Sequence, residues 1–269
     1  MKPSLALLSL ALMLAAPSVR AEEGALRILC YNIHYGQGND GVYDLERLAE
    51  VIKAVDPDLV ALQEVDVVVR RSGQAHQAKK LGELTGLSVH YGPTQHYEGG
   101  LFGNAVLTKL PVRETLIHPL PYTEATPERT TYPRGFIAVT VEGPDGKPFR
   151  FVSTHFQHNV EEDRVAEAEA VNQLLASEGD ALPTILAGDI NATPDSEPMR
   201  ILLSKWTNAT DQPAAPTVPS HEPTSRIDYI FFRTGDPFTI KEARVIPDAM
   251  ASDHRPVFTV LKWETGSGE

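Results

Sequence analysis

Short apolar runs recur along this chain, and several end abruptly on an amide, a carboxylate or an imidazole. Residues 26–31 lead into Asn32 and His34, residues 59–62 into Gln63 and Glu64, residues 149–154 into His155, and residues 184–187 into Gly188, Asp189 and Asn191. Runs of this length, rich in Val, Ile and Leu, predict buried strands. Residues two apart on extended chain share a face, so Asp189 and Asn191 converge where their strand opens into a loop. Gly188 permits close approach of backbone or ligand. The alternative for that stretch is a helix-entry turn, which Asp and Asn also favour.

Helical spacing lies between the strands. Asp44 stands as an N-cap before Leu45, Leu48, Ile52 and Val55, and Asp56-Pro57 closes that helix. Residues 77–87 and 161–176 read as further helices. The latter has Val165, Ala168, Val171, Leu174 and Leu175 as its buried stripe and a solvated acidic face. Residues 136–141 and 149–154 suggest an antiparallel hairpin around Gly143-Pro144-Asp145-Gly146. Strands at 88–91, 104–108, 226–232 and 257–261 complete an α/β pattern, layered on mixed sheets. Residues 92–103, 118–134 and 208–225 read as long loops marked by Pro or Gly, of the kind that usually serve function.

Residues 1–21 stand apart. Lys2, an apolar core over residues 5–16 and the small-x-small Val19-Arg20-Ala21 read as a secretory signal peptide, too short to span a bilayer. Residues 22–269 are then expected to form one exported domain, periplasmic or secreted, monomeric and without a transmembrane segment. Loss of Lys2 and Arg20 takes the formal net charge from −12 to −14. Long nucleic-acid grooves rely on clustered Lys and Arg, so a duplex is not the favoured partner. Cys30 is the only cysteine, which excludes an intramolecular disulfide, and its apolar strand makes it an inert core thiol.

The polar strand ends point to one chemistry. If the strands lie side by side, Asn32, Glu64, His155, Asp189, Asn191, Asp228, Asp253 and His254 line one rim, where open α/β sheets place their ligands. Asn32, Glu64 and Asp253 are hard oxygen donors that suit Mg²⁺, Mn²⁺ or Ca²⁺ rather than zinc. Asp189 can serve as general base to a water held by Asn191. The two imidazoles can neutralise charge growing on a phosphoryl group, with Asp228 fixing one ring. With no Ser or Cys nucleophile motif, this set points to direct attack of water on phosphorus.

The segments Tyr31-Asn32-Ile33-His34, Leu62-Gln63-Glu64, Gly103-Asn104-Ala105-Val106-Leu107, Ser153-Thr154-His155, Gly188-Asp189-Ile190-Asn191, Arg226-Ile227-Asp228-Tyr229-Ile230 and Ser252-Asp253-His254-Arg255-Pro256 carry a resemblance. In this order they resemble the endonuclease/exonuclease/phosphatase superfamily, which includes DNase I, exonuclease III and the neutral sphingomyelinases. The resemblance implies a four-layer α/β sandwich, two mixed sheets face to face with helices outside. It implies Glu64 as principal ligand of Mg²⁺ or Mn²⁺, with Asn32 and Asp253 nearby. It further implies Asp189 as the residue that activates water, Asn191 orienting it, and His155 and Asp228-supported His254 stabilising the phosphorane. Arg134 falls where secreted members place an arginine near the site. Asn104 is either a phosphate contact or a strand-entry turn.

Two departures matter. Where many nucleases of the superfamily have an acid two residues after the first Asn, this chain has His34, whose role beside the metal or in the fold stays open. Where the apurinic-site nucleases have an Asn, it has His155. His158 and the remaining histidines match no motif and are assigned to surface or rim. The expected activity is metal-dependent hydrolysis of a phosphodiester, small or lipid-headgroup, with a DNase I-like nuclease as the alternative. A calcineurin-like phosphatase would need an acid where Ala192 stands, and a non-catalytic module would be expected to lose Glu64, Asp189 or one of the two histidines.

Overall fold

In the computed structural model, which describes residues 24–180, 182–210 and 215–264, twelve strands form two six-stranded sheets. The proposed leader, residues 1–21, lies outside the described residues. One sheet holds β1 (Ala25–Asn32), β2 (Leu59–Val67), β3 (Ser88–Tyr97), β4 (Gly100–Thr108), β11 (Phe238–Val245) and β12 (Val257–Trp263), in the spatial order β11-β12-β1-β2-β4-β3. The other holds β5 (Val112–Pro119), β6 (Gly135–Glu142), β7 (Pro148–His155), β8 (Thr184–Asp189), β9 (Trp206–Asn208) and β10 (Asp228–Arg233), in the order β5-β6-β7-β8-β10-β9. Each has one parallel pair, β1 with β2 and β7 with β8, among antiparallel neighbours. A parallel pair needs a crossover. Helix α1 (Leu45–Ala54) lies in the first and α3 (Glu161–Leu175) in the second.

Alternation along the strands builds four layers. Ile28 and Cys30 of β1 and Ala61 of β2 face Val139, Phe151 and Ile185 of the other sheet, fully buried between the two. The intervening Leu29, Tyr31, Val60 and Leu62 turn outward, under Leu48 and Ile52 of α1 and Leu81 of α2 (Gln77–Thr85). In the second sheet Val152, Leu186 and Phe231 turn toward Ala168 and Val171 of α3 and Leu202 of α4 (Glu197–Leu203). This is the four-layer sandwich that the resemblance implies. Asn32, His155, Asp189 and Asp228 share the parity of the inter-sheet face, so the site opens between the sheets at one end. Asp44 caps α1 as expected, its carboxylate accepting from Arg47 N at 2.9 Å.

Several local expectations need correction. Residues 92–103 are not a loop; β3 and β4 continue through them and meet at the two-residue turn Glu98-Gly99. Strands β5, β9 and β11 and helix α4 are not among the elements that the pattern predicts. The acidic face of α3 is only partly solvated: Asp163 and Glu167 are buried, and Leu174 of the proposed stripe is exposed. Cys30 is buried as expected, and burial pushes its thiol pKa up. Among the described residues no helix is long and apolar enough to cross a membrane.

Candidate active site

Three side chains of the site come from one row of the second sheet. On adjacent β7, β8 and β10, Asp189 pairs in register with His155 on one side and with Asp228 on the other. Gly188 makes the β7–β8 approach feasible, since a Cβ there would collide with the Thr154 carbonyl oxygen. The first sheet works differently. Between Leu62, paired with Ala105, and Val65, paired with Gly103, two residues of β2 oppose the single Asn104. This bulge, with Glu64 in the left-handed region at φ 59°, turns both Gln63 and Glu64 toward the inter-sheet side.

Asp189 is the hub. Its Oδ1 accepts from Asn191 N at 2.9 Å, and its Oδ2 accepts from Asn32 Nδ2 at 3.0 Å. The same Oδ2 lies 3.5 Å from His155 Nε2 and 3.8 Å from His254 Nε2. Asn32 Nδ2 also donates to Glu64 Oε1 at 3.2 Å, so one amide ties the two carboxylates. Burial, reinforced by the Asp228 charge and opposed by His254, lifts the Asp189 carboxyl to about 7.

The two histidines are held in opposite states. His155 Nδ1 faces Arg134 Nη1 at 3.3 Å. A guanidinium only donates, so Nδ1 accepts and the proton sits on Nε2. Burial, then the Arg134 charge, push this imidazole well below its ordinary pKa, which keeps it neutral. His254 Nδ1 lies 3.0 and 3.1 Å from the two Asp228 oxygens. Burial would lower its pKa, but the Asp228 carboxylate outweighs that and raises it to about 10. One ring is thus a neutral N–H donor and the other an imidazolium.

Of the other expected residues, Asn191 lines the cleft in a left-handed conformation at φ 51°, its Nδ2 donating to Phe156 O. Asp253 is half-exposed beside the rings, 4.0 Å from His254 Nε2 and 3.8 Å from His34 Nε2. Asn104 is buried outside the cleft lining, where its Nδ2 donates to Gly135 O and ties the sheets together. Arg134 is 5% exposed and forms part of the wall.

Two basic side chains join the lining beyond the residues proposed for the site. His158 is exposed at the rim, as expected, and from there reaches the cleft: its Nδ1 faces Arg134 Nη2 at 3.4 Å and its ring stacks on Tyr132. Arg71 lines the opposite wall with Tyr97 and Phe102. Nothing local marks Arg71 for the cleft. The cleft is about 290 Å³.

The profile of the endonuclease/exonuclease/phosphatase family matches residues 29–254, which span every residue just described except the ends of the sheets. The chain belongs to that family. Members of the endonuclease/exonuclease/phosphatase family with solved structures share its fold. One from Beutenbergia cavernae is 24% identical, with 89% of this chain and 72% of that one covered and a TM-score of 0.72. One from Bacteroides thetaiotaomicron is 22% identical, with 90% and 98% covered and a TM-score of 0.73. A mannosyl-6-phosphatase of the same organism is 22% identical, with 88% and 99% covered and a TM-score of 0.71.

Endonuclease/exonuclease/phosphatase proteins are phosphoester hydrolases that generally depend on a divalent metal, and two donor sets here bear on that. Donor atoms of Asp189, Asp228 and His254 lie within 4.8 Å of one another, near enough to hold an ion. Yet His254 Nδ1 is taken by Asp228, and both Asp189 oxygens accept hydrogen bonds. That group reads better as a proton-handling relay. Among the described residues Glu64 accepts one hydrogen bond, joins no ion pair and keeps Oε2 free at the cleft. A hard cation fits that oxygen better, with Asn32 and Asp253 as further donors.

Proposed function

We propose that the protein hydrolyses a small phosphodiester by direct attack of water on phosphorus, with Mg²⁺ or Mn²⁺ bound at Glu64. The observation that carries this reading is the row of His155, Asp189 and Asp228 across three strands, closed by His254. A divalent ion held by Glu64, Asn32 and Asp253 would supply Lewis acidity at a phosphoryl oxygen. Asp189 takes the proton of the attacking water through Oδ2, while the Asn191 N–H and the Asn32 amide hold its carboxylate still. His155 and His254 both carry Nε2–H at distances from Asp189 too long for good hydrogen bonds, so these groups remain available to oxygens that gain charge. Arg134, backing His155, keeps that ring neutral and adds its own charge to the wall.

A diester is favoured because Glu64 and Asp189 share the cleft, and a monoanion meets less repulsion there than a monoester dianion. The acidic chain disfavours a duplex. An exported location, resting on residues 1–21, belongs to the same reading, and cell fractionation checks it. The activity is tested by incubating purified protein with Mg²⁺ or Mn²⁺ and bis-p-nitrophenyl phosphate, a lipid-headgroup diester, mannose 6-phosphate or plasmid DNA. Diester turnover that stops with EDTA supports the proposal. Full activity after exhaustive chelation, or no ester hydrolysed with either metal, overturns it. Preference for mannose 6-phosphate would move the reading to a monoesterase, and preference for plasmid to a nuclease.

A further inference from the structure

Arg71 stands on the wall of the cleft opposite Arg134, and four separate parts of the chain hold its guanidinium. The ring of Tyr35 lies 3.7 Å from it, that of Tyr97 4.5 Å and that of Phe102 5.3 Å. Fully buried Asp66 grips one edge, accepting from Nε at 2.9 Å and from Nη2 at 3.0 Å. The Arg71 backbone N–H donates to Glu98 Oε2 at the β3–β4 turn. Burial would weaken the cation, and the Asp66 hydrogen bonds more than offset this, holding its pKa above the ordinary arginine value. Among the described residues Nη1 makes no hydrogen bond, and Arg71 lines the same cleft as Glu64, Asp189 and His254.

A planar cation with aromatic rings against it and a carboxylate on one edge has little freedom left. A staple for the β3–β4 hairpin would not need its free edge in a reactive cleft. We infer that Arg71, fixed by Asp66 and the Tyr35, Tyr97 and Phe102 rings, is a second anion-binding subsite, and that the substrate carries a second anionic group, a carboxylate or a phosphate, beside the scissile ester. This rests on the phosphoesterase reading for the ester itself and adds what the rest of the substrate looks like. The two guanidinium groups then divide the work: Arg134 faces the reacting phosphoryl group, and Arg71 fixes the far end of the molecule.

The test uses matched esters: methyl phenyl phosphate and its analogues with a carboxylate or a phosphate on the ring. With wild type, kcat/KM is expected to be about ten- to hundredfold higher for the anionic analogues, the range of one charge-assisted contact. The two analogues show which group Arg71 prefers. In Arg71→Gln that ratio should collapse toward one. Because Arg71→Gln strands the buried Asp66 carboxylate, Asp66→Asn/Arg71→Gln is made beside it and should show the same collapse. Calorimetric binding of the three esters to Asp189→Asn protein reports the ratio without turnover, so loss of the phosphoesterase reading leaves this result decisive. Equal wild-type preference for charged and uncharged esters would overturn the subsite, as would variants that weaken all three equally.

Discussion

The two sheets build their halves of the site by different means. The second sheet needs no departure from regular pairing: His155, Asp189 and Asp228 are cross-strand neighbours, and the ladder places them. The first sheet must break its ladder, with a bulge at Gln63-Glu64, to bring Glu64 round. The chemistry divides along the same line. In the proposed mechanism the regular half handles protons, and the irregular half presents Glu64, which joins no ion pair among the described residues. His254 joins them, emerging ahead of β12 of the first sheet and bonding Asp228 of the second. The proposed mechanism therefore depends on alignment between layers as much as on any one residue.

The sharpest way to break this comparison is at its regular half. Asp189→Asn keeps the shape and the hydrogen bonds to one oxygen but cannot take a proton. Turnover of the diester should fall by about 10²–10⁴ with the metal requirement little changed. Wild-type rates would remove Asp189 from the mechanism. Glu64→Gln attacks the other half. The Mg²⁺ concentration for half-maximal rate should rise by about tenfold or more, with part of the lost rate returning at high metal. An unchanged metal titration would move the ion to the Asp189, Asp228 and His254 group.

Asp228→Asn tests the joint between halves. It removes the charge that outweighs burial at His254, so the imidazolium should become neutral near neutral pH and the rate fall by about ten- to hundredfold. NMR titration of the ring checks the first part and steady-state kinetics the second.

The smallest effect is expected at Glu167, which lies outside the reacting groups. Burial raises its carboxyl to about 8, with the Gln157 N–H to Oε2 and the Arg134 charge opposing. A raised folded pKa means that its contribution is full below the ordinary carboxylate pKa and lost as pH rises through about 8. Glu167→Gln should therefore gain stability relative to wild type as pH is raised over that window, read as a difference in Tm between mildly acidic and alkaline buffers. A pH-independent difference would show that the carboxyl stays ionised in the fold.

What was readable beforehand follows from the same physics. Asn32, Glu64, His155 and Asp189 each follow closely on an apolar run, so the run itself marks them. Edge strands β5 and β11 escaped because most of their residues are exposed, Leu116, Ile117 and Ile240 included, and no clean apolar face is left to detect. The β3–β4 hairpin was hidden by Gly and Pro that ordinarily mark loops, though Gly92 and Gly103 are there for close packing against Ile137 and Pro93. Arg71 and Glu167 are the harder losses. Their partners, Tyr35 and Gln157, come from other elements, and a charge in a polar stretch gives no local sign of what will cover it.

The irregularity in β2 also says something about what shaped this strand. Leu62 and Val65 both belong to the outward, helix-covered face, although two residues separate them. Delete either of those two, and the strand becomes continuous: Leu62 still opposite Ala105, Val65 still opposite Gly103, one residue opposite Asn104, and no side chain changes faces. The shorter strand would also shed a left-handed glutamate, whose backbone conformation carries a cost. On architectural grounds alone the extra residue is superfluous. What the extra residue adds is a glutamate at the cleft, so the less comfortable backbone serves the proposed metal site and not the sandwich itself.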